Sequence, residues 1–237
     1  WGTETLGFFV GDNFADVGIH TLQGRSEVRA ALGEYVGLTG GVDVLWQRTD
    51  VSLRLTPYPA ANEPPGPNFG RPSRSVEAQP SAVRPGAYLH LDITPFDGLR
   101  LMPGIRVDYT QDNGDVTVDP RFAARWDVHP GEHRTTLKAA VGLFHQPPQP
   151  VESMLDSSFT VRSSRAMHAS LGVEQQITPH FQLSIEGFWK DFDDLPVARA
   201  ADDDSVIGVR FDNAGEGRAY GGELMLRYRP GGGPFFG

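Results

Sequence analysis

The sequence has no cysteine, which removes disulfide staples, a thiolate nucleophile and a cysteine-ligated metal from consideration. It also lacks any run near the roughly 18 consecutive apolar residues that a membrane-crossing helix needs. Helical spans are thereby excluded. Spanning strands are not, because they cross in about 9–11 residues and every second one can be polar. Positive charge is in short supply: 21 Lys and Arg stand against 30 Asp and Glu, for a net charge of −9. No basic patch is present, so a nucleic-acid partner is argued against. No charged n-region with a following apolar stretch opens the chain at Trp1, so no signal peptide is expected in these residues. The opening residues alternate as if the chain begins inside a strand, and truncation is the expectation.

Glycine (28) and proline (19) are abundant and cluster between hydrophobic stretches, as turns punctuate a many-stranded protein. At 237 residues the chain could form one large all-β unit or two small domains; length alone does not choose. Period-two alternation is the sharpest signal. Phe181, Leu183, Ile185, Gly187 and Trp189 are apolar or small, whereas Gln182, Ser184, Glu186 and Lys190 between them are polar. Tyr220, Gly222, Leu224, Leu226 and Tyr228 likewise oppose Glu223, Arg227 and Arg229. Upstream, Phe122, Ala124, Trp126 and Val128 oppose Arg121, Arg125 and Asp127, and Leu137, Ala139, Val141 and Leu143 oppose Lys138. Leu99, Leu101, Ile105, Val107 and Tyr109 oppose Arg100, Arg106 and Asp108. A 3.6-residue period would scatter those charges around a helix. About ten strands are expected, near 3–10, 26–37, 41–55, 86–94, 99–110, 117–128, 134–145, 165–177, 181–191 and 217–229.

The links carry a second pattern. Short turns at Thr94 to Gly98, His129 to His133 and Thr178 to His180 alternate with longer links at Pro57 to Arg84, Gln111 to Val116, Gln146 to Ser164 and Phe192 to Glu216. Membrane barrels are built this way, with short periplasmic turns and long extracellular loops. Three places disturb the pattern: Pro103 lies within a strand and predicts a bulge or local edge, the alternation changes phase near Arg48 to Asp50, and Gln175 falls on an apolar face. The competing architecture is a soluble, carbohydrate-binding β-sandwich, which also alternates. Long strands and regular links favour the barrel, as do the aromatics. Phe181 and Trp189 are eight residues apart, as are Tyr220 and Tyr228. That spacing covers about 26 Å of strand, or about 20 Å across a membrane at a 40° tilt, close to an apolar band about 25 Å tall.

The strings "VDPRFAARWDV", "TTLKAAVGLFHQPPQP" and "DNAGEGRAYGGELMLRY", within Asp115 to Val128, Thr135 to Val151 and Asn213 to Tyr228, resemble the barrel of TonB-dependent outer-membrane receptors. In that family an aromatic followed by Gln-Pro-Pro leads a strand into an extracellular loop, and an Asn-x-Gly-x-Gly-type string opens a later strand. The resemblance covers the second half of the chain well and the first half by pattern. It implies a non-enzymatic transport protein in the outer membrane of a Gram-negative bacterium. The cargo would be a scarce nutrient such as a siderophore, cobalamin or a glycan, and the TonB complex would supply the energy. A passive porin or structural barrel is the alternative. No plug domain, energy-coupling box or terminal aromatic strand is found, and family barrels have twenty-two strands. The expectation is therefore an all-β, antiparallel up-and-down transmembrane β-barrel fragment over residues 1–237, in contact with outer-membrane lipid.

No catalytic constellation or cofactor signature stands out, and no serine sits in a nucleophile elbow. His129 and His133 have i, i+4 spacing, but Pro130 and Gly131 make a turn between them, so no metal site is expected. The acidic stretch from Phe192 to Glu216, with Asp193, Asp194, Asp202, Asp203, Asp204 and Asp212, could offer calcium its oxygen ligands, but a solvated loop fits its irregular spacing better. The polar-face charges Arg106, Asp108, Arg121, Arg125, Lys138, Glu174, Glu186, Glu223 and Arg227 are candidates for a ligand-contacting lumen wall. Opposite charges paired across neighbouring strands are the structural reading of the same residues.

Overall fold

An alternating chain whose strands follow one another through tight links can pair each strand with the one before it. The computed structural model shows this arrangement, and it describes residues 2–10, 13–55, 74–149, 152, 161–200 and 209–229. In chain order the strands are β1 (Gly2–Val10), β2 (Asn13–Ala31), β3 (Val36–Leu55), β4 (Arg74–Ala78), β5 (Ser81–Phe96), β6 (Leu99–Thr110), β7 (Asp115–His129), β8 (Thr135–Gln146), β9 (Ser164–Gln176), β10 (Phe181–Ala200) and β11 (Val209–Tyr228). All pairings are antiparallel and consecutive, except that β3 carries both β4 and β5. Those two share one register on β3, from Arg48↔Ser81 on to Val51↔Ala78. Between them the Thr49 amide donates to the Pro80 carbonyl at 2.9 Å. β4 and β5 are thus one strand interrupted at Gln79 and Pro80, because proline has no N–H to give the ladder. The described strands form a single sheet, which overturns the sandwich reading, since a sandwich needs two sheets face to face.

Several expected boundaries move. The hairpin between β2 and β3 turns at residues 32–35, not near 38–40. Gly33 there adopts φ 133, a conformation open to glycine and costly for other residues. Gly40 and Gly41 lie inside β3 instead, where a Cβ on Gly41 would meet the Tyr88 side chain of β5 and come within 2.8 Å of the Ser26 carbonyl. These glycines make room for a side chain and do not turn the chain. Residues 192–216, expected as a loop, are mostly strand, since β10 runs to Ala200 and β11 starts at Val209. Pro103 causes no bulge: pairing with β5 skips from His90↔Gly104 to Ile93↔Leu101 in unchanged register.

The two faces of the sheet differ sharply. The large apolar side chains left exposed within the regular strands, from Leu22 and Val28 through Ile105, Phe122, Leu137 and Ile185 to Leu224 and Tyr228, lie in the outward phase, apart from Met225. At the turn-proximal end Phe181 pairs with Tyr228, and eight residues on Trp189 pairs with Tyr220. Their rings touch, with centroids 4.7 and 5.5 Å apart. A continuous apolar belt edged by aromatic rings is what lipid requires of a barrel wall, whereas water would oppose so large an exposed patch.

The disturbed phase near Arg48 to Asp50 now has a cause. The β2–β3 register runs unbroken from Ala31↔Gly37 to Phe14↔Arg54, so the backbone does not slip. A 20-residue strand such as β3 is about 66 Å long, or about 50 Å along the axis at a 40° tilt, twice the height of the apolar belt. Beyond the belt the outside is polar: Asp50 sits 3.1 Å from His20 and 3.2 Å from Arg48, and Arg48 donates to Gln79 at 2.7 Å. Inside, Ala15, Val51 and Leu53 are buried, and Val17, Val76 and Phe211 pack on them. The sheet therefore curls far enough for the loop end of β11 to reach the inner surface of β2 and β3.

Candidate functional site

Register settles which residues look inward. Arg106, Asp108, Arg121, Arg125, Lys138, Glu174, Glu186, Glu223 and Arg227 all share the inner face with one another. The ladders also place them in transverse rungs. Arg100, Arg125 and Lys138 stand side by side on β6, β7 and β8, and across Gly172 the same rung continues to Glu186 and Glu223 on β10 and β11. Pairing follows from this geometry. Glu174 receives Arg125 at 3.1 Å and Lys138 at 3.0 Å, and Lys138 reaches Glu186 at 3.5 Å. Three unlike-charge contacts thereby tie four neighbouring strands, β7 to β10.

A second network is denser. The Arg106 guanidinium donates to both oxygens of Asp43 at 2.8 and 2.9 Å and to both oxygens of Asp108 at 2.6 and 2.5 Å. Such forked pairing fixes the side chain's direction as well as its charge. Beside it, the Tyr88 hydroxyl donates to Glu27 at 2.5 Å while accepting from Arg25 Nε at 2.9 Å. Both guanidiniums lie over the Tyr88 ring, at 4.8 and 5.9 Å from its centre. Gly41 and Gly86 are the vacancies that let the ring and the Arg106 head lie flat, since a Cβ at either would overlap them.

The loop end is held by residues of the strand-opening string and of the links beside it, and each has a geometric reason. Asp194 takes a left-handed φ of 56 where β10 and β11 shift register between Phe192 and Val197. The Asn213 amide donates to the Asp194 carbonyl at 2.7 Å and to the Arg162 carbonyl at 3.0 Å, and its oxygen accepts from the Arg162 amide at 2.7 Å. A Cβ on Gly215 would lie 2.7 Å from the Leu195 carbonyl, and one on Gly221 would lie 2.9 Å from the Phe188 ring. On the neighbouring link, Asp115 accepts from the Ser163 amide at 2.7 Å and from Asn113 at 2.9 Å. The described aspartates of the acidic stretch are paired: Asp193 with Arg165 at 2.8 Å, Asp194 with Arg162 at 3.1 Å, and Asp212 with Arg199; just before the stretch Asp191 pairs with Arg218 at 3.2 Å. Hydrogen bonding to Asp193, then its charge, holds the Arg165 guanidinium above the usual arginine range. Asp202, Asp203 and Asp204 lie outside the described residues. Among the described residues no group of acidic and histidine side chains is arranged to hold a metal. His133 instead bonds the Ile177 carbonyl through Nδ1 at 2.9 Å, and Gln175, odd on its apolar face, is satisfied by Thr135 at 2.6 Å and the His133 carbonyl at 3.0 Å.

The inner face encloses a concavity of about 880 Å³ lined from β2 to β11. Sequence reasoning passed over several of its side chains: His90, Phe144, His168 and Phe188. Their signal was present as aromatic rings in the polar phase of a strand, such as Phe188 between Glu186 and Lys190. In a membrane barrel that phase faces the lumen, so an aromatic there is spared for contact with something other than lipid.

Comparison with known proteins agrees with this geometry. The family model "TonB dependent receptor-like, beta-barrel" matches residues 2–237. Similar solved structures include the FrpB iron transporter from Neisseria meningitidis (TM-score 0.66, 18% identity, 93% of this chain and 35% of that one). A mutant of the ferric enterobactin receptor PfeA from Pseudomonas aeruginosa (TM-score 0.64, 16% identity, 90% and 33%) and the copper transporter OprC (TM-score 0.62, 17% identity, 93% and 36%) are similar too. The chain spans about a third of the length of these structures. No curated protein matches the sequence.

Proposed function

Because this chain belongs to the TonB-dependent receptor family, as a stretch of its β-barrel, we propose that it forms part of the wall of an outer-membrane receptor that imports a scarce small molecule. The cargo class is that of siderophores, cobalamin or glycans, and the inner-membrane TonB complex drives the import. The observation that carries this reading is the division of the sheet into an apolar, aromatic-edged outer face and a charged, cavity-bearing inner one. Such a wall gives lipid no unpaired backbone within the sheet and gives a polar cargo a hydrated path.

The ion pairs divide the labour among the inward charges. Arg106, Asp108, Arg125, Lys138, Glu174 and Glu186 are committed to one another or to Asp43, and they hold the strands in place. Arg121, Glu223 and Arg227 have no ion-pair partner among the described residues, and they are the members of the set left to meet cargo. Growth and uptake in cells carrying the receptor gene, its deletion or a TonB deletion test the proposal. Nutrient-limited growth should require both genes; uptake that persists without TonB would mark a passive pore.

A further inference from the structure

The rungs of the inner face are chemically distinct. One reads Arg29, His90, Arg121, His168 and Lys190 on β2, β5, β7, β9 and β10, and the strands between contribute only threonine or glycine to it. It contains no carboxylate. All five nitrogen-bearing side chains line the 880 Å³ concavity. The next rung toward the turns presents Ala123, Ala140 and Ser170 between Met102 and Phe188, so its middle is lined by small residues.

Arg29 is paired with Glu27 at 2.8 Å, but among the described residues Arg121 and Lys190 have no ion-pair partner. Each instead lies over an aromatic ring: the Arg121 guanidinium is 5.6 Å from the centre of Phe144, and the Lys190 Nζ is 5.5 Å from that of Phe188. The His168 ring packs on Phe144 with centroids 4.7 Å apart. Glu223, opposite Glu186, is the unneutralised acid of the same cavity. It lies four residues along the strand from the basic rung, about 13 Å away, and does not cancel the rung's charge. Two unpaired cations held over aromatic rings in a shared concavity form a receptor for negative charge, with a flat apolar surface beside it.

We propose that this rung is a binding site for a small organic polyanion with a planar, aromatic portion. The proposal rests on the import reading above and names the chemistry of the cargo. Arg121 and Lys190 are three strands apart, about 14 Å between backbones, so two separate anionic groups of one molecule can be held while its ring lies against Phe144. A bare metal cation is disfavoured by the rung's charge. His90 and His168, four strands or about 19 Å apart, cannot share one. A neutral sugar would leave both cations without a counter-charge.

The test uses the full receptor purified in detergent, titrated calorimetrically with benzene tricarboxylate, its saturated cyclohexane analogue and maltose. Benzene tricarboxylate should bind most tightly. Arg121→Gln and Lys190→Gln should each weaken it about tenfold or more, whereas Glu223→Gln, which removes a negative charge from the same cavity, should tighten it. Phe144→Leu should abolish the preference for the aromatic over the saturated acid. Heat-modifiable mobility on gels reports whether each variant folds; if one cation variant does not, the other carries the comparison. Absence of benzene tricarboxylate binding, indifference to both glutamine variants, or equal binding of maltose overturns the proposal. TonB-independent uptake with intact polyanion binding would instead remove the import reading and spare the site.

Discussion

Ile185→Arg is the most direct probe of the assignment of faces. Ile185 lies outward on β10, about half exposed, midway between Phe181 and Trp189. Four residues separate it from each ring, about 13 Å of strand or about 10 Å of depth at a 40° tilt, which puts it near the middle of the apolar belt. Its ladder partners are Val173 and Leu224, so a guanidinium there has no carboxylate to meet. A charge at that depth costs about 2–4 kcal/mol, or a roughly thirty- to seven-hundred-fold shift in the folding equilibrium. The matched control is Glu223→Arg, which looks inward and sits opposite Glu186. It exchanges a like-charge neighbour for an opposite one and should change stability by less than about 1 kcal/mol. Guanidinium titration of the full receptor folded in lipid, followed by tryptophan fluorescence, measures both. Equal losses in the two variants, or a neutral Ile185→Arg, would refute the lipid-facing assignment.

Three further outcomes follow from the packing. Gly221→Val should destabilise by about 1–3 kcal/mol, because its side chain enters the space of Phe188. Combining it with Phe188→Ala should recover part of that loss, a non-additivity visible in the same titration. Arg106→Met leaves Asp43 and Asp108 facing one another without their donor and should cost roughly 2 kcal/mol or more; Asp43→Asn in the same chain should restore some of it. Asn213→Ala removes the side chain that joins Asp194 to Arg162 and should cost about 1–2 kcal/mol. Its signature is faster hydrogen exchange at the Arg162 amide with the belt residues of β10 unaffected.

The sheet's curl explains why some residues of the wall were visible early and others were not. Charges such as Lys138 and Glu186 were legible one by one, because each stands out of phase with apolar neighbours. Their partnership was not, since it depends on β8, β9 and β10 being stacked in the register Lys138↔Gly172↔Glu186. Gly40 and Gly41 show the opposite failure. The break expected between strands at residues 38–40 ended at these glycines, but they lie within β3 and the space they leave is taken by Leu89 and Tyr88 from another strand.

By itself the sequence determined the antiparallel order and two unlike faces of most strands, though not the full lengths of β2, β10 and β11, because period-two alternation and short links act over a few residues and need no knowledge of distant ones. Only the tertiary structure decided the rungs, the clamps around Arg106 and Tyr88, and the cavity bounded by Arg121 and Lys190, because each depends on lateral register between strands. It also decided the meaning of the phase change near Arg48. The chain does not slip there; the strand leaves the apolar belt, so the solvent on its outer face changes from lipid to water while the backbone continues unaltered.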